Sequence, residues 1–140
     1  MRIMAIDYGD THTGVAVSDP TGFLTGFTTT VTAYRPERVA EQVAALAREH
    51  GAEELVLGHP RNMDGTRGPR AEKAEALAEL LREATGLPVI LWDERRTTID
   101  AHQILFNAGK NAKKRKKTVD AVAASLILEG YLTYKKSQQR

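Results

Sequence analysis

The stretch Arg2-Ile3-Met4-Ala5-Ile6-Asp7-Tyr8-Gly9-Asp10-Thr11-His12-Thr13-Gly14-Val15-Ala16-Val17-Ser18 decides the fold. Arg2 to Tyr8 is an apolar run that ends on an acid, Gly14 to Ser18 is a second apolar run, and the polar Gly9–Thr13 segment between them makes the pair a hairpin candidate. Working outward, Thr28 to Thr32 is Thr-rich and β-branched, a third strand preceded by a Gly-bearing turn around Gly22 to Gly26. Three consecutive strands make a meander. Pro36 then suits the first turn of a helix whose Val39, Val43, Leu46 and Ala47 recur at spacings of three and four, with Gly51 as its stop.

The second half alternates. Leu55 to Leu57 is a short apolar run between Gly51 and Gly58, readable as a buried strand, and a polar loop follows from His59 to Gly68. Pro69 opens a helix with a stripe of Ala74, Leu77, Ala78 and Leu81, closed by Gly86 and Pro88. Leu87 to Trp92 is the next strand. Thr97 or Thr98 can cap a helix running to about Ala108 and closed by Gly109, and Thr118 can cap a last one through Val122, Leu126 and Tyr131. This order predicts an α/β fold: a central mixed five-stranded sheet, with a three-strand meander and two parallel strands reached by right-handed crossovers, flanked by helices. In such sheets ligands sit beyond the carboxyl ends of the parallel strands, so functional residues are expected just after Ile6, Leu57 and Trp92.

At 140 residues, 41% of them hydrophobic, the chain has room for one domain spanning 1–140 with one core. It has no cysteine, which removes disulfide frameworks, thiolate zinc sites and cysteine nucleophiles and fits a reducing compartment, the cytoplasm being the expectation. No secretory signal or membrane-length apolar run is visible. Charge is uneven. Of 20 Lys and Arg and 18 Asp and Glu, nine basic and two acidic residues fall in 110–140, leaving eleven basic against sixteen acidic in the rest. A basic end on an otherwise acidic chain is the footprint expected for a polyanion such as nucleic acid, although a solvated tail would look the same.

Three acids fall where chemistry is expected. Phosphodiester hydrolysis needs a nucleophile made from water, an offset for charge on phosphorus and help for the leaving oxygen, and two metal ions roughly 4 Å apart supply all three. Mg²⁺ prefers carboxylate oxygen and keeps several waters, so a few carboxylates on separate elements suffice. Asp7 at a strand end, Glu94 just past another and Asp120 at a helix start could converge at one sheet edge. Each has a bland competitor: Asp7 could shape a turn, Asp93 and Glu94 could pair with Arg95 and Arg96, and Asp120 could serve the helix dipole. The four histidines show no zinc spacing, and His59 beside Pro60 at a strand end is the one with a plausible place near water or phosphate.

The set becomes specific through a resemblance. Ile6-Asp7-Tyr8-Gly9 with Gly14-Val15-Ala16-Val17-Ser18-Asp19, Gly58-His59-Pro60 with Asp64-Gly65, Trp92-Asp93-Glu94-Arg95 with Thr97-Thr98, and Val119-Asp120-Ala121-Val122-Ala123-Ala124 with Ile127-Leu128 resemble the YqgF/RuvX family in order and spacing. The match covers nearly the whole chain. The resemblance implies a ribonuclease H-like fold, and its members are described as Holliday junction resolvases and as nucleases maturing the 5′ end of pre-16S ribosomal RNA. It maps the acidic triad onto Asp7, Glu94 and Asp120, as catalytic residues and ligands of Mg²⁺, with Mn²⁺ a substitute. One departure stands out: where the family has a pattern like Lys-Arg-Ile-Gly after the first Asp-Tyr-Gly, this chain has Thr11-His12-Thr13-Gly14.

Lys110 and the run Lys113-Lys114-Arg115-Lys116-Lys117 carry no interleaved aromatics, so they would hold backbone rather than read bases. With Arg61, Arg67, Arg70 and Arg95 they are the expected nucleic-acid contacts. The expected partner is branched DNA or precursor rRNA, met by a monomer or, if two strands must be cut symmetrically, a homodimer. Two other classes stay open: a noncatalytic nucleic-acid-binding module, and an ATP-dependent phosphotransferase, since Asp7-Tyr8-Gly9 with Gly14-Val15-Ala16 also resembles the first phosphate loop of the actin and sugar-kinase superfamily. The latter clamps nucleotide between two domains, and this chain has length for one.

Overall fold

The computed structural model describes the chain except residues 61–63, 94–111 and 139–140, and for residues 112–120 it describes the backbone alone. Five strands, β1 (Ile3–Asp7), β2 (His12–Ser18), β3 (Thr25–Thr32), β4 (Glu54–His59) and β5 (Val89–Asp93), form one sheet in the order β3-β2-β1-β4-β5. The helices are α1 (Pro36–His50), α2 (Pro69–Thr85) and α3 (Ala112–Gln138). β1, β2 and β3 pair antiparallel as a meander, and β4 joins β1 in parallel, then β5 joins β4 in parallel. The mixed five-stranded sheet expected from the sequence is the one observed. Among the described residues no helix is long and apolar enough to cross a membrane.

Alternation along the strands splits the core in two. Met4, Ile6, Val15, Val17, Leu55, Leu57 and Val89 face α1 and α2, where Val39, Val43, Leu77 and Leu81 complete a cluster of large aliphatic side chains. Ile3, Ala5, Ala16, Val56, Ile90 and Trp92 face α3, against Ala124, Ile127, Leu128, Tyr131 and Leu132. Both first helices carry the anticipated punctuation. Each begins with proline in its first turn and ends at a glycine in the left-handed region, Gly51 at φ 67° and Gly86 at φ 69°.

Ladder pairing extends β2 and β3 into polar residues, so that β2 starts at His12 rather than Gly14 and β3 at Thr25 rather than Thr28, whereas β1 (Ile3–Asp7) and β5 (Val89–Asp93) are shorter than the expected Arg2 to Tyr8 and Leu87 to Trp92. The larger difference is α3. It starts at Ala112, six residues before Thr118, so Thr118 is interior and the basic run Lys113 to Lys117 is helical. Ala, Lys and Arg are strong helix formers, and a run of basic residues has no apolar period for a search to find. The helix expected from Thr97 or Thr98 to Ala108 lies outside the described residues.

Candidate active site

Asp7 is the last residue of β1, the central strand, and is half-buried. Its register partner is Gly14, and Ile3 and Ala5, which share its face of the strand, pack in the cluster beneath α3. Asp7 therefore occupies the α3 side of the sheet at the carboxyl end of the parallel strands. The turn that follows is tight: a Cβ on Gly9 would stand 2.3 Å from the His12 carbonyl oxygen, so only glycine lets the chain double back there.

Asp120 lies two turns inside α3, and no acid occupies that helix's first turn. The helix-dipole account of Asp120 is thus removed. The position stands four residues before the buried Ala124 and seven before the buried Ile127, on the helical stripe that meets Asp7's side of the sheet. Asp93, the competitor of Glu94, pairs with His59 and shares its strand face with Val89 and Leu91, which pack toward α1 and α2. Register so assigns Asp93 to the side opposite Asp7. Glu94, Arg95, Arg61 and Lys110 lie outside the described residues, as do the side chains of Asp120 and of Lys113, Lys114, Arg115, Lys116 and Lys117. Among the described residues no three His, Asp or Glu gather as a metal site.

The loop after β4 is held down by charge. His59 is only 5% exposed, and its Nε2 stands 2.7 Å from Glu75 Oε2 on α2. Arg67 closes the same carboxylate from outside, with Nε 2.8 Å from Oε2 and Nη2 2.5 Å from Oε1. The fork of Arg67, followed by the His59 hydrogen bond, holds the Glu75 carboxyl below its usual range, and Glu75 in turn raises Arg67. His59 thus belongs to a structural clasp on the α2 side, and Arg67 already has an internal anion. Asp64 braces the loop further by accepting from the backbone N–H and hydroxyl of Thr66. Arg70, at the start of α2, reaches the β1–β2 turn, where Nη2 is 3.2 Å from Asp10 Oδ2.

The Thr11-His12-Thr13 departure divides in two. Thr11 Oγ1 and His12 Nδ1 hydrogen-bond at 3.0 Å in the turn. Thr13 is fully buried, at the position of the apolar residue in the Lys-Arg-Ile-Gly pattern, and its hydroxyl has no hydrogen-bond partner among the described residues. Glu75 was not singled out in the sequence, since on α2 it reads like Glu72 or Glu79, an acid on a polar face. Only the loop that returns over the helix distinguishes it.

The family model described as RuvX, Holliday junction resolvase, matches residues 1–134. The chain belongs to the RuvX family. A relative from Halothermothrix orenii, named "Putative pre-16S rRNA nuclease", is 43% identical over 134 residues, covering 96% of each chain. Among solved structures, RuvC of T. thermophilus in complex with a Holliday junction substrate superposes with a TM-score of 0.60 at 17% identity, over 97% of this chain and 96% of that one. That likeness establishes the ribonuclease H-like fold. The ROK hexokinase of Thermus thermophilus matches 74% of this chain at 27% identity and a TM-score of 0.50, but this chain covers only 38% of it. The RuvX-family protein is a nuclease on a ribonuclease H-like fold, and its likeness to the kinase is confined to a minor part of that chain.

Proposed function

We propose that this RuvX-family protein is a divalent-metal-dependent endonuclease for structured nucleic acid, with Asp7, Glu94 and Asp120 holding Mg²⁺. The observation that carries the reading is the position of Asp7: the carboxyl end of the central strand, on the side covered by the helix that bears Asp120. The donor chemistry fits, since a half-buried carboxylate at a strand end beside Gly14 leaves room for a hydrated hard cation. Bound there, the metal would supply charge to offset that developing on phosphorus and on the leaving oxygen. The protein's part is to fix Asp7 through the β1–β2 and β1–β4 ladders and to aim a substrate phosphate at that edge with cations from the start of α3.

The precursor of 16S rRNA is the leading substrate, because a relative 43% identical over 96% of its length carries that activity in its name. A four-way DNA junction is the second reading, favoured by the description of the family model. A side-by-side cleavage assay of precursor 16S rRNA and a synthetic junction, with Mg²⁺, Mn²⁺ or chelator, tests both. Metal-dependent cutting of either substrate, lost in Asp7→Asn with binding retained, is expected. Cutting of neither, with binding intact, would return the protein to a noncatalytic binding module.

The helical basic run adds a quantitative expectation. Successive helix positions turn by about 100°, so of Lys113 to Lys117 only about three positions can face one strand. Replacing all five by Gln should flatten the log–log salt dependence of binding by roughly 2 to 3, at about 0.9 per phosphate contact in duplex and 0.7 in single strands. A change of about 3.5 to 4.5, the value for all five contacts, would contradict the helical arrangement.

A further inference from the structure

On the side of the sheet away from Asp7, a cleft of about 800 Å³ opens where β1 ends and α1 and α2 lie side by side. Its walls include Tyr8, Tyr34, Pro36 and Leu80, with Asp10 and Lys73 among its polar groups. Tyr8 packs against the core beneath α1 and α2, whereas Tyr34, just before α1, is 79% exposed. A smaller hollow lined by Gly58, Pro60 and Arg70 shares Tyr8, Asp10 and Lys73 with the cleft and extends it toward the end of β4.

Three features define an occupant. The walls are aromatic and apolar, which suits a flat ring; an aromatic left this exposed offers a face for stacking. Asp10 and Glu37 line the cleft together with Tyr8, which puts two carboxylates among its walls. Those carboxylates accept from N–H groups. Lys73 supplies a cation in the same cleft, and Arg70, paired with Asp10, stands at its extension. A ring with exocyclic amine donors and an attached phosphate matches all three. Tyr8 directly follows Asp7 at the end of β1, so the cleft and Asp7 lie at the same sheet edge on opposite sides.

We propose that the cleft holds an unpaired nucleobase of the substrate strand, with Tyr34 stacking on the ring, Asp10 and Glu37 accepting from its amine, and Lys73 meeting the adjoining phosphate. The assignment rests on the nuclease reading for the identity of the strand. It gives the enzyme a means to favour a single-stranded extension beside a duplex.

The test uses the full-length Asp7→Asn protein and a stem-loop RNA with a short single-stranded 5′ extension that carries 2-aminopurine at each position in turn. Quenching is expected at one or two neighbouring positions. Tyr34→Ala should remove it and weaken binding of the extended stem-loop about 5- to 150-fold, the range of one lost base stack, while a blunt stem-loop binds as before. Tyr34→Phe should retain both. No quenching at any position, quenching that survives Tyr34→Ala, or an equal loss for the blunt stem-loop would overturn the proposal. Equal, Tyr34-dependent quenching of free 2-aminopurine riboside monophosphate at the same concentrations would reassign the cleft to a free nucleotide and overturn the strand assignment. Wild-type protein that cuts nothing yet gives Tyr34-dependent quenching defeats the nuclease reading and supports the cleft, whereas cutting without quenching defeats the cleft alone.

Discussion

The two sides of the sheet are built differently. Under α1 and α2 lie Met4, Ile6, Leu55, Leu57, Leu77 and Leu81, large side chains that fill a thick core, and the charges at its margin are mutually satisfied in the His59–Glu75–Arg67 clasp. Under α3 the strands offer Ala5 and Ala16, the helix offers Ala123 and Ala124, and Gly14 takes the place beside Asp7. Small residues bring a helix close to the sheet. The first side is thus thick throughout, whereas the second, which also holds Ile3, Val56, Ile127, Leu128, Tyr131 and Trp92, is thin only toward Asp7, where its small residues bear on how closely α3 sits against the strands.

The largest expected effect separates neighbouring acids by side. Asp7→Asn should lower cleavage by more than about 100-fold, since even residues that only orient metal ligands are worth about 10- to 100-fold. Asp93→Asn, on the opposite register, should change it by less than about 10-fold. Single-turnover rates on one substrate check both, and equal losses would erase the distinction between the sides.

Next come paired core substitutions. Leu77→Ala on the thick side should cost about 2–5 kcal/mol in chemical denaturation, with little change in cleavage per folded molecule. Ala16→Leu on the thin side should cost about 1–3 kcal/mol by overpacking. It should also reduce cleavage per folded molecule, because it lifts α3 from the sheet. Matching activity in the two variants would show that the closeness of α3 is irrelevant to function.

A smaller effect isolates Thr13, whose buried hydroxyl has no partner among the described residues. Thr13→Val keeps the shape and removes the need to desolvate an unpaired group, so it should stabilise by about 1 kcal/mol, measured by urea unfolding. A loss of stability would mean that the hydroxyl is served by a buried water.

Much of this contrast was legible in the sequence, and the unread part has physical causes. Strand alternation in Ile3 to Asp7 and Gly14 to Ser18 is a local signal, so the meander, Asp7 and the proline-to-glycine helices could be read directly. The start of α3 could not, because Thr118 looks like a cap and the helix before it has charge rather than apolar period. Glu75, Tyr8, Tyr34 and Lys73 act through neighbours that only the crossovers bring together, so nothing in their local sequence marks them.

The smallest effects are pH dependences, and the two sides should fail at opposite ends of the scale. Glu75, on the thick side, has a carboxyl held low by Arg67 and then His59. A depressed carboxyl contributes stability that is present above its ordinary value of about 4.3 and lost as pH falls through the lowered one. Wild type should therefore melt above Glu75→Gln at neutral pH and converge with it in acid. Tyr131, on the thin side, is pushed up to about 12 by burial and then by Glu54, whose carboxylate also pairs with Lys135 at 2.9 Å. The raised phenol contributes stability that is full below the ordinary value of about 10 and lost as pH rises from there toward 12. Tyr131→Phe cannot ionise, so it should hold its melting temperature across that alkaline interval while wild type declines. Acid sensitivity unchanged in Glu75→Gln would break the clasp's claim on the thick side, and an alkaline decline unchanged in Tyr131→Phe would show that α3 separates from the sheet before its tyrosine titrates.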